Sequence, residues 1–165
     1  MTSQLNTKLD QGTIMAITTL ATEKDKTGAV IEIKHTTGLG YTQVLPFYMK
    51  QYATLCDNGL AHPAFSASNT SKAVYAEEHG TVIGHIVYNL LDDQLKTAWI
   101  LLSAVDEGHR QRGIFKLMRK HFESTVKKAG SKKVISYVHI DNTAMVRANA
   151  GVGMKPFYYK MEQNL

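Results

Sequence analysis

The stretch of sequence that decides the fold is TAWILLSAVDEGHRQRGIFKLMRKHFESTVKKA, residues 97–129. Residues 97–105 are apolar or small at nearly every position, which is typical of a strand covered on both faces in the middle of a sheet. Residues 106–113 are mostly polar and include two glycines, so they predict a turn. From residue 114 to residue 129 apolar side chains recur at steps of three and four, which predicts an amphipathic helix that ends before Gly130.

The glycine at the start of this helix, Gly113, points to an anion site. The first N–H groups of a helix lack partners within it, and the helix dipole adds partial positive charge at that end. Because glycine has no side chain, a bulky anion can approach the backbone closely there. The turn is therefore a candidate phosphate-binding loop, and an ordinary strand-to-helix turn is the alternative that explains the same residues.

The positive charge of the chain is concentrated around this turn. The formal net charge is +5 at pH 7, and residues 105–133 contain nine Lys or Arg against three acidic residues. The rest of the chain has ten basic and eleven acidic residues. A polyanionic cofactor would explain this placement, although a solvated face of the helix would explain the later lysines equally well.

Length and composition are those of an ordinary globular domain. With 165 residues, 44% of them hydrophobic and 20% charged, we expect one domain over residues 1–165. No apolar run reaches the roughly 18 residues of a membrane helix, and the N-terminus lacks the layout of a signal peptide. Cys56 is the only cysteine, which suits a reducing cytoplasm. We therefore expect a cytoplasmic protein without a membrane span, as a monomer or homodimer.

The order of the predicted elements indicates a sheet of mixed direction. Strands are predicted at residues 13–21, 29–35, 72–78, 81–91, 97–105, 132–140 and 157–162, and helices at 41–57, 113–129 and 142–150. The first two strands predict a hairpin, and Gly84 predicts a bulge in the fourth. A strand–helix–strand crossover makes the strands around helix 113–129 parallel neighbours, after an antiparallel N-terminal meander. The predicted fold class is therefore α/β, a single-domain mixed sheet with helices on both faces.

The sequence VDEGHRQRGIF, residues 105–115, resembles the acetyl-coenzyme A signature of the GNAT family of N-acetyltransferases. The family pattern is Arg or Gln, two residues, Gly, one residue, and then Gly or Ala. Arg110 and Gly113 match it, and Phe115 stands in place of the last small residue. The resemblance covers roughly residues 29–162, and it leaves residues 1–28 as an N-terminal extension that no motif places and that can supply an extra strand.

A second stretch keeps the spacing of another motif of this family. Asn142, the pair Ala148-Asn149 and the pair Gly153-Met154 stand where the family usually has Asn, an apolar residue with Tyr, and Gly-Phe. Asn149 therefore replaces the usual Tyr, and Met154 replaces the usual Phe. Together the two motifs imply a GNAT-like fold with the mixed sheet described above.

The resemblance implies an N-acetyltransferase that transfers the acetyl group of acetyl-coenzyme A to a primary amine of a small molecule or peptide. It implies that backbone groups of residues 103–105 hold the pantetheine arm and that amides of residues 111–116 bind the pyrophosphate. It also implies that Asn142 contacts the cofactor from the other side. The implied cofactor-binding residues are Ser103, Ala104, Val105, Arg110, Gln111, Arg112, Gly113, Ile114, Phe115, Lys116, Asn142 and Asn149.

The groups that would transfer protons are not at the usual places of the family. The usual acid, a Tyr, aligns with Asn149, whose carboxamide does not titrate near neutral pH, and a base of the central strand aligns with Trp99. His139 is the candidate base, because it is predicted near the carboxyl end of strand 132–140 and imidazole titrates near neutral pH. A merely exposed or hydrogen-bonded histidine is one alternative, and a water relay is another.

Other function classes have less support. The sequence contains no Cys pair and no His-x-x-x-His, so no metal site is predicted. Nucleic-acid binding would rest on basicity alone, because no basic run is interleaved with aromatic residues. The missing Tyr and carboxylate leave open a GNAT-like protein that binds acyl-coenzyme A without catalysis. If they converge, four carboxylates would form an acidic rim that favours a cationic amine. These are Glu77, Glu78, Asp92 and Asp93.

Overall fold

The structure, a computed structural model, describes residues 16–39, 43–60, 67–68 and 70–156. Its described strands form one sheet in chain order: β1 (Ile17–Lys24), β2 (Val30–Thr36), β3 (Lys72–Glu78), β4 (Thr81–Leu90), β5 (Ala98–Val105) and β6 (Val134–Ser136). The described α-helices are α1 (Val44–Asp57), α2 (Ile114–Lys128) and α3 (Thr143–Ala150). β5 and β6 run parallel and the other neighbouring pairs are antiparallel, so the predicted mixed sheet is confirmed.

The sheet is covered by α2 on one face and by α1 on the other. Because strand side chains alternate between faces, neighbouring residues of β4 belong to different halves of the core. Ile86 and Tyr88 pack in the half that contains α2, whereas Val87, between them, packs in the half that contains α1. Helices on both faces were predicted, and the structure agrees.

The helix α2 docks through the apolar stripe that its sequence predicts. Ile114, Met118, Phe122 and Val126 are all buried against the sheet. The helix ends at Lys128, two residues before the predicted glycine stop. This docking fixes the turn between β5 and α2 at the carboxyl end of β5.

Gly84 lies at a bulge, as predicted. The pairing of β3 with β4 shifts register there, since Ala76 pairs with Gly84 but Glu77 pairs with Val82. A Cβ on Gly84 would lie 2.9 Å from the methyl carbon of Met118 and 3.1 Å from the carbonyl oxygen of Ala104. The glycine therefore allows β4 to approach both α2 and β5 closely.

The strand predicted at residues 132–140 is wrong in length, because β6 spans only Val134–Ser136. Tyr137 is 60% exposed and Ile140 is 68% exposed, so no sheet face buries the apolar residues that indicated a longer strand. In the first hairpin, β1 continues to Lys24 instead of ending at residue 21. The predictions for residues 13–15, 41–42 and 157–162 lie outside the described residues.

His85 of β4 is a fully buried histidine in the α1 half of the core. Its ring lies 5.2 Å from the ring of Phe47 and 5.9 Å from the ring of Tyr48, measured between centroids. Neither ring nitrogen has a hydrogen-bond partner among the described residues. Burial disfavours the charged imidazolium and lowers the pKa of His85 to about 3.

This burial predicts a loss of stability at mildly acidic pH. In the unfolded chain the pKa of His85 is near 6.5, so below that pH protonation stabilises the unfolded state and not the folded one. Between pH 6.5 and pH 4.5 the free energy of unfolding should fall by about 2 kcal/mol more in the wild type than in His85→Leu. Urea unfolding at several pH values measures the difference, and parallel pH curves would contradict it.

Candidate functional site

β5 and β6 separate soon after they pair, and they leave a gap between them. Pairing joins residues 98–100 to residues 134–136 and stops there. From residue 101 to 105, the edge of β5 towards β6 has no strand partner among the described residues. We call the gap between residues 101–105 and residues 137–142 the fork. It runs for about 13 Å, since a strand advances about 3.3 Å per residue, and the backbone groups of that edge are available to a ligand.

A second bulge lies where the fork begins. Val87 of β4 pairs with Leu102 and Tyr88 pairs with Ile100, so Leu101 is an extra residue in β5. Bulges bend a strand and increase its twist. Leu101 is also the first residue of β5 beyond the pairing with β6, so the bend coincides with the point where the two strands part.

The turn after β5 carries two residues with left-handed backbone conformations. They are Gln111, with φ 63°, and Gly113, with φ 86°. Such a conformation is uncommon for a non-glycine residue such as Gln111. Gly113 is the N-cap of α2 and provides no side-chain cap, so the first N–H groups of the helix keep their donor capacity for a ligand. The open end of the fork therefore meets a set of backbone donors.

The side chain of Arg112 is turned into the protein and away from the role of a free cation. Its Nε donates to Asp25, and its two Nη atoms donate to the carboxylate of Glu78 at 3.2 and 2.6 Å. These hydrogen bonds raise the pKa of Arg112 and lower that of Glu78. Arg112 was predicted to bind the cofactor, and because its guanidinium is engaged it can do so only through its backbone.

Arg110 and Lys116 remain exposed beside the turn. The Nε of Arg110 donates to the carbonyl oxygen of Val105 at 3.2 Å, which holds this arginine at the end of β5. His109 bridges two carboxylates, with Nδ1 3.1 Å from Asp106 and Nε2 3.1 Å from Glu78. The hydrogen bond with His109 lowers the pKa of Asp106. These contacts of Arg110 and His109 therefore stiffen the turn.

Asn142 and Asn149 belong to α3 and have structural contacts there. Asn142 is the N-cap of the helix, and its Oδ1 accepts from the N–H of Met145 at 3.2 Å. Asn149 is buried, and its backbone carbonyl oxygen accepts from the N–H groups of Val152 and Met154 at 3.2 and 3.0 Å. The structure thus brings residues 103–105 and 110–116 together where β5 ends and α2 begins, and it leaves these two asparagines on a separate element.

His139 does not lie on a strand, because β6 ends at Ser136. Its side chain is 43% exposed and lies 3.6 Å from the carboxylate of Asp141. Its Nδ1 accepts from the backbone N–H of Asp141 at 3.2 Å, so the proton of the neutral ring lies on Nε2. His139 borders the fork from the side of residues 137–142.

Trp99 and Tyr137 form an aromatic pair at the narrow end of the fork. This contact is not among the predictions from the sequence. Their ring centroids are 6.1 Å apart with an interplanar angle of 73°. The register of the strands places Trp99 beside Ile135, two residues before Tyr137. The sequence did contain a signal for this pair. Ile135 and Tyr137 are two residues apart, and this spacing puts side chains on the same face of an extended chain.

The predicted acidic rim does not form. Glu77 pairs with Lys34 on β2, and Glu78 is engaged by Arg112 and His109. At the other end of β4, Asp93 accepts from the N–H and hydroxyl of Thr97 at 2.8 and 2.7 Å, which lowers its pKa. The rim was wrong because the two pairs of carboxylates lie at opposite ends of an antiparallel hairpin.

In the part of the chain that the structure describes, no group of three or more His, Cys, Asp or Glu side chains is arranged to hold a metal ion. None of the helices in this part combines the length and apolar character needed to cross a membrane.

The sequence profile of the acetyltransferase (GNAT) family matches residues 41–151. This range contains the fork, the turn and all of α3. No match was found among functionally curated proteins.

Several solved structures share the fold. An integron cassette protein from the mobile metagenome of V. cholerae is 18% identical, with a TM-score of 0.62 over 81% of this chain and 93% of that one. The ribosomal-protein-alanine N-acetyltransferase of Brucella melitensis is 12% identical, with a TM-score of 0.61 over 82% and 99%. The aminoglycoside N-acetyltransferase AAC(6′)-Iy, solved with coenzyme A, is 13% identical, with a TM-score of 0.57 over 81% and 98%. At such identities the likeness concerns the fold.

Proposed function

We propose that this chain, which belongs to the acetyltransferase (GNAT) family, transfers the acetyl group of acetyl-coenzyme A to a primary amine of a small molecule or peptide. Family membership makes the protein an N-acetyltransferase with acetyl-coenzyme A as co-substrate. The acceptor is the finer part of the proposal. The observation that carries the proposal as a whole is the fork, whose unpaired backbone edge runs from the turn at Gly113 to the aromatic pair of Trp99 and Tyr137.

The residues present fit this co-substrate. The turn offers uncapped N–H groups beside a glycine, which suits a phosphate. An extended arm can lie along residues 101–105 and use the free backbone groups of β5. With the phosphates at the turn, the thioester would then lie towards the narrow end of the fork, near Trp99 and Tyr137.

The chemistry needs a neutral amine, a polarised carbonyl and a proton for the departing thiolate. The amine nitrogen attacks the acetyl carbon, a C–N bond forms, the C–S bond breaks, and the proton lost by nitrogen compensates the one gained by sulfur. Backbone N–H groups of the β5 edge would donate to the carbonyl oxygen as negative charge develops on it. The protein's share is therefore mainly positioning and polarisation.

The residues around the narrow end of the fork favour an acceptor whose amine is bound without a ring of carboxylates. Three of the four carboxylates expected there are engaged elsewhere. Aromatic faces attract both apolar groups and ammonium ions, so Trp99 and Tyr137 suit the carrier of an amine. By their names, two of the relatives acetylate aminoglycosides and a ribosomal protein, which supports a small molecule or a peptide as acceptor.

A panel of acceptors tests the proposal. Aminoglycosides, simple primary amines and peptides with free N-termini are each incubated with acetyl-coenzyme A, while thiol release and acetylated product are measured. We expect one class to give both signals at matching rates. If coenzyme A binds but no amine is acetylated, the protein is instead a binder of acyl-coenzyme A, a reading that the replacement of the usual Tyr by Asn149 and of a carboxylate by Trp99 supports.

We also propose His139 as the base that accepts the amine proton. If it does so, the rate should decline towards acidic pH, because a protonated ring cannot accept the amine proton, and His139→Gln should remove this acidic limb while keeping most of the shape. Rates measured from pH 5 to pH 9 with the best acceptor give the profile. An unchanged rate and an unchanged acidic limb in His139→Gln would eliminate His139 and leave a water relay as the base.

A cytoplasmic location and a single domain over residues 1–165 complete the proposal. They are supported by composition and by the lone thiol, since Cys56 is exposed and forms no disulfide.

A further inference from the structure

We propose that the hairpin of β1 and β2 positions the phosphate-binding turn, with Asp25 and Glu78 acting through Arg112. The inference rests on the proposed function, because it concerns how the same turn binds acetyl-coenzyme A. The hairpin lies outside residues 41–151, which match the family profile. Residues 17–28, which belong to a segment without a recognisable motif, would thus take part in cofactor binding.

Two carboxylates from different elements hold the guanidinium of Arg112. Asp25 follows β1 and accepts from Nε, whereas Glu78 ends β3 and accepts from both Nη atoms. The planar guanidinium fixes the direction of each bond, so this two-sided grip sets both the place and the orientation of the side chain. The side chain of Asp25 is completely shielded from solvent.

Asp25 is itself held rigidly inside the hairpin turn. Its Oδ1 accepts from the N–H of Thr27 at 2.8 Å, from the hydroxyl of Thr27 at 2.7 Å and from the N–H of Ala29 at 3.0 Å. Its Oδ2 is left for Arg112. One carboxylate thus ties the hairpin turn to the phosphate-binding turn, and each oxygen serves one of them.

A backbone hydrogen bond completes the link. The N–H of Lys26 donates to the carbonyl oxygen of Arg112 at 3.1 Å. In a trans peptide the C=O and the following N–H point in opposite directions, so this bond turns the N–H of Gly113 away from the hairpin. The stem of Lys26 also lies beside Gly113, since a Cβ there would be 3.4 Å from Cγ of Lys26. One side of the turn is therefore occupied by the hairpin, and the N–H of Gly113 faces the other side.

This arrangement makes Arg112 a positioning residue for the phosphates. Its charge is already balanced by two carboxylates, so the anion meets oriented backbone donors instead of this guanidinium. Weakening the grip should loosen the turn and reduce affinity only for ligands that carry phosphates.

Calorimetric titrations with coenzyme A and with acetyl-pantetheine, which carries no phosphate, test the inference. We expect Asp25→Asn and Glu78→Gln each to raise the Kd for coenzyme A about tenfold and to leave the Kd for acetyl-pantetheine unchanged. Glu32→Gln is the matched control, because Glu32 lies in the same hairpin but pairs with Lys34, and it should bind both ligands as the wild type does. Hydrogen exchange at residues 111–115 should be faster in the two variants without ligand.

Three results would overturn the inference. One is a wild type that binds coenzyme A and two variants that bind it with the same Kd. The proposed function would then still hold. The next is an equal loss for acetyl-pantetheine, which would mean general damage to the fold. The third is a wild type that does not bind coenzyme A, which removes the proposed function as well. If Asp25→Asn fails to fold, Glu78→Gln decides, since Glu78 ends a strand at a surface turn.

Discussion

Replacing Gly113 by Glu is expected to abolish measurable binding of acetyl-coenzyme A, a loss of about a hundredfold or more in affinity. Gly113 has φ 86°, a conformation that side chains other than Asn and Asp rarely adopt. A Cβ at this position would lie 3.4 Å from Cγ of Lys26, so the new side chain would crowd the hairpin that holds the turn and would add a negative charge at the N-cap of α2. Strain in the turn and repulsion between like charges both act against the ligand.

The control for this substitution is Gly113→Asn. Asparagine tolerates the left-handed conformation and carries no charge, so this variant should keep most of the affinity. Thermal shifts and calorimetric titrations with acetyl-coenzyme A measure both variants. An affinity of Gly113→Glu equal to that of the wild type would show that the turn does not bind the phosphates.

Replacing Phe122 by Ala is expected to lower the free energy of unfolding by about 3–5 kcal/mol. Phe122 is fully buried on α2 and meets the ring of Tyr88 edge-on, with centroids 5.0 Å apart. The guanidinium carbon of Arg119 lies 5.2 Å from the same ring, so the substitution also removes a cation–π contact. The cavity would lie under the helix that carries the phosphate-binding turn.

Phe122→Leu is the matched variant, and it should cost about 1.5 kcal/mol or less because most of the volume is kept. Urea unfolding at neutral pH gives both values. A loss below about 1 kcal/mol in Phe122→Ala would mean that the site collapses around the cavity and that α2 is anchored mainly by other residues.

The elements that were predicted well are those whose signal is local. The apolar run of β5 and the three-and-four spacing of α2 depend on nearby residues alone, and both elements end within one residue of the prediction. β6 was overestimated because its pairing depends on how far β5 stays beside it. The bulge at Leu101 ends that contact, and nothing near residue 134 in the sequence records it.

The candidate site divides in the same way. The turn around Gly113 was found from a short motif, since a helix start and a glycine are neighbours in the chain. The role of Arg112 was missed because its partners, Asp25 and Glu78, are 87 and 34 residues away. The acidic rim was wrong because the antiparallel pairing of β3 and β4 puts its two pairs of carboxylates at opposite ends of the hairpin, and this pairing is likewise not a local feature of the sequence.

The central claim, that acetyl-coenzyme A lies along the unpaired edge of β5 with its phosphates at the turn, is tested most directly by hydrogen exchange. Amide exchange is followed by mass spectrometry with and without saturating acetyl-coenzyme A. The account predicts slower exchange at residues 101–105 and 111–116 and little change in the hairpin of β3 and β4. Binding that leaves residues 101–105 and 111–116 unprotected would contradict it.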